Sequence, residues 1–199
     1  MKSYREQFVE HYIKVEEPYD NKKGYKTKYV YCGPWYMWNV APHMLIRKKC
    51  TLGVAGAINL FLFILCAVQY ADVNRALLVE TPATLSVIAL IFEALGIVQF
   101  CAAKSRITES SFQDIGMKLR IAPLAHALLL FLTAAFGIYY LLYVAFTRVS
   151  LFVLTGFVVC AGLSLFIYRE YRSLPHRSEK NTIRKELLSQ ENELPEQVV

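Results

Sequence analysis

Residues 82–103 read PATLSVIALIFEALGIVQFCAA, an apolar stretch that carries a single carboxylate, Glu93. A bilayer core of about 30 Å is crossed by about 20 helical residues, which is close to the length of this stretch. Charged or turn-forming segments separate it from three further stretches of similar character. The four stretches are residues 51–71, 82–103, 121–144 and 150–168. The sequence therefore predicts an all-α integral membrane protein built as a four-transmembrane-helix bundle.

The rest of the chain is too short for a separate large soluble domain. We expect residues 1–50 to form a cytoplasmic aromatic and basic interfacial segment, residues 51–168 the transmembrane bundle, and residues 169–199 a cytoplasmic tail. The first 40 residues are polar and aromatic, unlike a signal peptide, so the first apolar stretch is expected to remain as an anchor. Within this segment, the turn-forming run 19–25 lies between two extended segments and predicts a small β-hairpin.

Lysines and arginines lie almost entirely on one side of the predicted spans. Of the 22, only Arg75 and Arg148 fall in the outer connections, residues 72–81 and 145–149. Basic residues in short flanking segments resist translocation, so both termini are expected in the cytoplasm, with the protein in the cell membrane. Such residues also favour anionic lipid, which accounts for the net charge of +6 without nucleic acid. The expected partners are membrane lipid and either another membrane protein or a second copy of the chain.

Known catalytic and metal-binding patterns do not occur in this sequence. The five cysteines lie outside the outer connections, so no disulfide framework is expected. The four histidines are scattered, and no Cys/His pattern has metal-ligand spacing, so neither a metal nor a cofactor is expected. The HExxH, GxSxG, Walker A and GxGxxG motifs do not occur. Enzymatic activity, including lipid modification, is therefore disfavoured.

Aromatic residues are concentrated ahead of the first span, at Trp35, Tyr36 and Trp38. Trp and Tyr favour the headgroup region of a bilayer, where the ring is apolar and the N–H or O–H group still reaches water. We interpret the three residues as an interfacial aromatic platform. A ligand-stacking or partner-docking surface is the functional alternative.

Polar side chains within the spans fall at two depths when they are counted from the inner boundary at about 1.5 Å per residue. Asn59, Glu93 and Thr133 are placed about 14, 15 and 18 Å deep, and they are predicted to form an intramembrane polar layer. Gln99 and His126 are placed only about 6 and 8 Å deep, as a separate shallow polar pair.

Glu93 has two interpretations. A charged carboxylate deep in a bilayer is costly, so Glu93 is expected to be protonated, hydrogen-bonded or hydrated. In the structural interpretation, a neutral Glu93 is hydrogen-bonded to the Asn59 amide and clamps the first two spans together. In the functional interpretation, Glu93 titrates and couples a proton or cation to transport. The structural interpretation is preferred because no charged partner is expected at the depth of Glu93.

Three functions follow from these features. The leading hypothesis is a non-catalytic accessory or regulatory subunit that docks a partner or anionic lipid at the cytoplasmic face. The alternative is a small proton- or cation-coupled transporter that acts as a homodimer through Glu93, because four helices alone enclose little volume. A lipid-modifying enzyme has no motif in its favour.

Overall fold

The computed structural model describes residues 11–18, 25–143 and 146–181. These residues fall into two compact units. We call them the strand unit and the helix unit. The strand unit comprises the described parts of Met1–Met37, Ser105–Phe112 and His176–Val199, and the helix unit comprises those of Trp38–Lys104 and Gln113–Pro175.

Four long helices make up most of the described chain. They are α1 (Pro42–Ala67), α2 (Leu77–Ala102), α3 (Glu109–Tyr143) and α4 (Arg148–Arg172). Each contains a stretch that is long and apolar enough to cross a membrane. The prediction of four apolar helices is therefore confirmed.

Local polar contacts fix the turns between these helices. A short 3-10 helix, Asp72–Arg75, joins α1 to α2. Within it, Asn74 Nδ2 donates to the carbonyl of Cys66 at 3.1 Å, which satisfies a free carbonyl at the end of α1. At the start of α4, Thr147 Oγ1 accepts a hydrogen bond from the backbone N–H of Ser150 at 3.2 Å. This is the N-cap arrangement expected of a threonine before a helix.

The helices extend further than the apolar stretches. The first begins at Pro42 rather than at residue 51, and the third begins at Glu109 rather than at residue 121. Charged residues that mark the ends of the apolar stretches lie within helices, and several of them bond to a neighbouring segment. Lys49 Nζ donates to the Ala103 carbonyl that follows α2 at 2.5 Å, and Lys118 Nζ donates to a side-chain oxygen of α2 at 3.0 Å. The helices therefore continue beyond their apolar parts, where long basic side chains reach polar groups on neighbouring segments.

The predicted hairpin is present. Strand β1 (Tyr12–Pro18) pairs antiparallel with β2 (Tyr25–Tyr31), from Tyr12 opposite Tyr31 to Pro18 opposite Tyr25. Residues 19–24, which contain most of the predicted turn, lie outside the described part of the chain.

A second, three-stranded sheet was not predicted. It consists of β3 (Trp35–Trp38), β4 (Ile107–Thr108) and β5 (His176–Glu179), in the order β4-β3-β5. Strand β4 has only two residues, and every residue of β5 is exposed, so neither shows the alternation of apolar and polar residues that identifies a strand. The predicted tail thus begins with the last turn of α4 and a strand. Residues 182–199 lie outside the described part.

Glycines allow close contact between helices in the helix unit. A Cβ atom built on Gly56 of α1 would lie 2.5 Å from Cδ1 of Ile97 in α2, and one built on Gly137 of α3 would overlap Leu154 of α4. Small residues at such positions let helix backbones approach each other. The apolar core around these contacts includes Leu90, Leu130, Val153, Leu154 and Phe157.

We predict that Gly137→Ala lowers the free energy of unfolding by about 1–3 kcal/mol, because the added methyl group overpacks against the buried Leu154 side chain. Thermal unfolding in mild detergent measures the effect. Gly162→Ala is the matched control, since no side-chain or distant backbone atom lies within 4 Å of its built Cβ. In a Leu154→Ala background the same glycine substitution should cost less, because the side-chain atoms that the added methyl group meets are absent. Equal melting temperatures for the two glycine variants would contradict this packing.

Candidate functional site

Four polar side chains, one from each helix, meet inside the helix unit. They are Asn59 of α1, Glu93 of α2, His126 of α3 and Ser164 of α4, and each is at most 1% exposed. We call these residues the central polar cluster. Burial of polar groups among apolar side chains is tolerated when the groups are hydrogen-bonded to each other.

Ser164 is the residue through which the other three are linked. Its Oγ lies 3.0 Å from Glu93 Oε2, 2.9 Å from Asn59 Nδ2 and 2.8 Å from His126 Nδ1. Asn59 Nδ2 also donates to Glu93 Oε1 at 3.1 Å, and His126 Nδ1 lies 3.3 Å from Glu93 Oε2. The contacts of Glu93 therefore involve all three of the other helices.

The single O–H group of Ser164 limits the proton arrangements that fit these distances. With Glu93 ionised, Ser164 donates to the carboxylate and accepts from the Asn59 amide and from an Nδ1–H group of His126. With Glu93 protonated, the carboxyl group donates to Ser164, Ser164 donates to His126 Nδ1, and the ring proton lies on Nε2. Both arrangements use the same heavy-atom positions. The cluster can therefore exchange protons without a change in packing.

Two buried polar atoms of the cluster have no hydrogen-bond partner among the described residues, Asn59 Oδ1 and His126 Nε2. A buried unpaired donor or acceptor costs about 1–3 kcal/mol. His126 Nε2 is the ring nitrogen opposite the Ser164 contact, so it is the open end of the hydrogen-bonded chain that runs from His126 through Ser164 to Glu93.

Aromatic and apolar side chains surround the cluster. The Phe63 ring lies 5.8 Å from the His126 ring, and the Phe157 ring lies 5.9 Å from that of Phe63, both measured between centroids. Phe63 belongs to α1 and lies one helical turn after Asn59. On α4, Cys160 Sγ lies 3.8 Å from the backbone carbonyl of Asn59. These side chains exclude bulk water and strengthen the electrostatic contacts inside.

The predicted polar layer of Asn59, Glu93 and Thr133 is brought together only in part. Asn59 and Glu93 are in contact, as described above. Thr133 is buried, but its Oγ1 donates to the carbonyl of Leu129 on its own helix at 2.8 Å. A threonine in a helix commonly satisfies its hydroxyl in this way, so it does not need a partner on another helix.

The structure does not pair Gln99 with His126. Gln99 Oε1 accepts from Lys118 Nζ at 3.0 Å, whereas His126 lies beside Glu93. The pairing was wrong because α3 does not begin at residue 121. From the contact of Gln99 with Lys118, counting along α2 and α3 brings Glu93 and His126 to within about 3 Å of the same level. An imidazole, that of His126, therefore lies beside Glu93, where no charged partner was expected.

Ser164 was not predicted as a site residue. The available signal was its spacing, since Gly156, Cys160 and Ser164 follow each other at four-residue intervals on one face of α4. A serine on a stripe of small residues is compatible with helix packing alone. Only the register of the other helices shows that its hydroxyl reaches Glu93.

The predicted aromatic platform of Trp35, Tyr36 and Trp38 is not a free surface. In the helix unit, Trp38 is only 7% exposed and its ring lies 5.1 Å from that of Phe100. In the strand unit, Tyr36 stacks on Phe112 with centroids 4.8 Å apart. Trp35 lies edge-on to Tyr31 at 5.0 Å. These rings pack against the protein itself, so the interpretation as an interfacial platform is not supported for Trp38.

Tyr31 connects separate segments of the strand unit. Its hydroxyl donates to the carbonyl of Pro34 at 2.8 Å and accepts from the backbone N–H of Glu109 at 3.1 Å. Burial raises the pKa of the Tyr31 phenol above its usual value. The phenol therefore remains a neutral hydrogen-bond donor near neutral pH.

Comparison with protein-family models, curated proteins and solved structures found no match. Among the residues that the structure describes, no group of three or more His, Cys, Asp or Glu residues is placed to hold a metal ion. The central polar cluster is therefore the candidate functional site among the described residues.

We predict that Ser164→Ala destabilises the protein by about 1–3 kcal/mol, because Glu93, Asn59 and His126 each lose a hydrogen-bond partner in a site that water does not reach. Thermal unfolding in detergent or lipid nanodiscs measures the change. Thr155→Ala is the matched control, since Thr155 is exposed on the same helix and bonds only within it, to the carbonyl of Leu151. A loss no greater than that of the control would show that Ser164 does not link the cluster.

Proposed function

We propose that this is an integral protein of the cell membrane. Each of the four helices crosses the membrane once, and both termini lie in the cytoplasm. Support for membrane insertion comes from the large apolar side chains that cover the helices, because such surfaces are rare on water-soluble monomers. Exposed examples from the four helices are Phe61, Leu85, Leu128 and Phe152. Support for the orientation comes from the lysine and arginine distribution.

Reporter fusions test this orientation. Green fluorescent protein joined to either terminus should fluoresce, because both ends are on the cytoplasmic side. Alkaline phosphatase joined after Arg75 should be active, because that residue lies in an outer connection. Opposite reporter behaviour at the two chain ends would contradict an even number of crossings.

We propose further that the protein is a small proton-coupled transporter that acts as a homodimer, with Glu93 and His126 as its protonatable pair. The observation that carries this proposal is the 3.3 Å contact between Glu93 Oε2 and His126 Nδ1 in a fully buried site. An isolated intramembrane carboxylate lacks a route for its proton. A carboxylate, a hydroxyl and an imidazole in sequence supply such a route.

The cluster can take up one proton at His126 and protonate Glu93 as the net result of three transfers. A proton binds at Nε2 of neutral His126, and the Nδ1 proton moves to Ser164 Oγ. The original Ser164 hydroxyl proton moves to Glu93 Oε2. The imidazole is then neutral with its proton on Nε2, the serine is unchanged, and the carboxyl group is neutral. Protonation removes the negative charge of the buried carboxylate and therefore its desolvation cost. The relative free energies of different helix arrangements change with it, so protonation can shift the population between them.

A regulatory subunit that docks a partner at the cytoplasmic face is the second candidate. It is favoured by β5, whose four residues are all exposed at the edge of the three-stranded sheet. An exposed edge strand can accept a further strand from another protein. Burial of Trp38 takes one of the three rings out of the aromatic surface on which this function would otherwise depend, so it ranks below transport.

We predict that Glu93→Gln abolishes proton movement across the membrane while expression remains normal, because an amide cannot titrate. Proteoliposomes with an internal pH-sensitive dye, an imposed pH gradient and a panel of amino acids, sugars and organic amines measure this. Asp72→Asn, which changes an exposed carboxylate in the outer connection, should retain the wild-type signal. Undiminished proton movement in Glu93→Gln would eliminate the transport proposal.

A further inference from the structure

A cavity of about 220 Å³ opens near the connection between α1 and α2. Its polar lining is at the outer part, where Glu80 and Thr84 are exposed and Asn74 is half-buried. Its apolar lining includes the rings of Phe63 and Phe157. At about 30 Å³ for each water molecule, the cavity has room for several waters.

Phe63 belongs to both the cavity and the surroundings of the central polar cluster. Its ring lines the cavity, and the same ring contacts that of His126 with centroids 5.8 Å apart. Asn59, Phe63 and Ala67 follow each other at four-residue intervals on α1, so one helix face runs from the cluster to the cavity. Along this face, about 6 Å separates the level of Phe63 from that of Asn59.

We propose that this cavity is the proton-entry vestibule of the central polar cluster and that Phe63 is the gate between vestibule and cluster. This inference rests on the proposed transport function. His126 Nε2 is the first acceptor, because it is the buried ring nitrogen that has no partner in the described structure. A rotation of the Phe63 ring brings water to that atom, and closure isolates the protonated cluster from the vestibule.

The groups around the route are compatible with cationic traffic. Glu80 places a carboxylate at the mouth, which attracts hydronium and disfavours anions. Next to His126, α2 contributes Glu93, α4 contributes Ser164 and α1 contributes Phe63. The neutral Asn59 amide bonds Glu93 and Ser164. A proton that enters therefore meets one carboxylate at the mouth and a second at the end of the route.

Chemical modification of histidine tests the gate independently of transport. The full-length protein in lipid nanodiscs is treated with diethyl pyrocarbonate, which reacts with an unprotonated imidazole nitrogen, and modification at each histidine is followed by mass spectrometry. Phe63→Ala should raise the rate at His126 by roughly tenfold or more, since a buried group reacts only when its cover opens. Phe63→Leu should stay near the wild-type rate, and exposed His43 reports equal reagent activity.

The lipid-facing Phe131→Ala on α3 is the matched control and should leave the His126 rate unchanged. An unchanged rate in Phe63→Ala would overturn the gate. Because Phe63 is a core residue, a second measurement uses the native gate. Ala83→Cys, inside the cavity, should react with a membrane-impermeant maleimide added to the outer face of sealed vesicles, and no reaction would overturn the vestibule.

These outcomes separate the two proposals. The vestibule would stand if Ala83→Cys reacts with the maleimide and Phe63→Ala raises the modification rate of His126. If the proton flux is then the same in Glu93→Gln as in the wild type, the transport proposal is wrong. If the proton flux is lost in Glu93→Gln but the modification rate of His126 is unchanged in Phe63→Ala, the transport proposal stands and this entry route is wrong.

Discussion

A carboxyl group buried among apolar helices must be neutral or fully hydrogen-bonded, and this requirement governs the helix unit. Glu93 meets it through Asn59, His126 and Ser164, each on a different helix. A shift of one helix along its axis would leave at least one of these groups unpaired, so the contacts define the register of all four helices. Glycine contacts such as Gly137 on Leu154 set the distance between helices, and the Lys48–Glu170 ion pair joins α1 to α4. In a lipid environment the hydrophobic effect does not favour contact between helices, so polar contacts and close packing stabilise their association.

Hydropathy and turn residues predicted four helices and the N-terminal hairpin, because both depend on signals within one continuous segment. The three-stranded sheet was not predictable in this way, since its strands come from three distant segments and β4 contains two residues. The contact between Asn59 and Glu93 follows from counting residues along two spans. The contact with His126 cannot be found by this count, because it depends on where α3 begins. The charged Lys118 indicated the end of a span, although it lies within α3. Sequence position alone also cannot tell a serine that packs from one that bonds a carboxylate, which is why Ser164 was missed.

The bonds that hold the helices in register are the same bonds through which a proton would move. The two proton arrangements of the central polar cluster share one set of heavy-atom positions, so the exchange between them requires no rearrangement of the helices. The exchange changes the charge on Glu93, and with it the desolvation free energy of the buried carboxyl group. A site of this kind links protonation to conformation when solvent reaches one end of it under control. The open nitrogen of His126, the Phe63 ring and the adjoining cavity are the parts that the proposed mechanism uses for that control.

The central claim is that Glu93 and His126 exchange protons as one unit. Solid-state nuclear magnetic resonance of the protein in lipid, with carbon-13 in glutamate and nitrogen-15 in histidine, measures it directly. As the pH is lowered from about 9 to about 4, the His126 ring proton should move from Nδ1 to Nε2 together with the change in the shift of the Glu93 carboxyl carbon. A His126 ring that keeps one tautomer across that range, beside a Glu93 carbon that does not respond, would contradict the account.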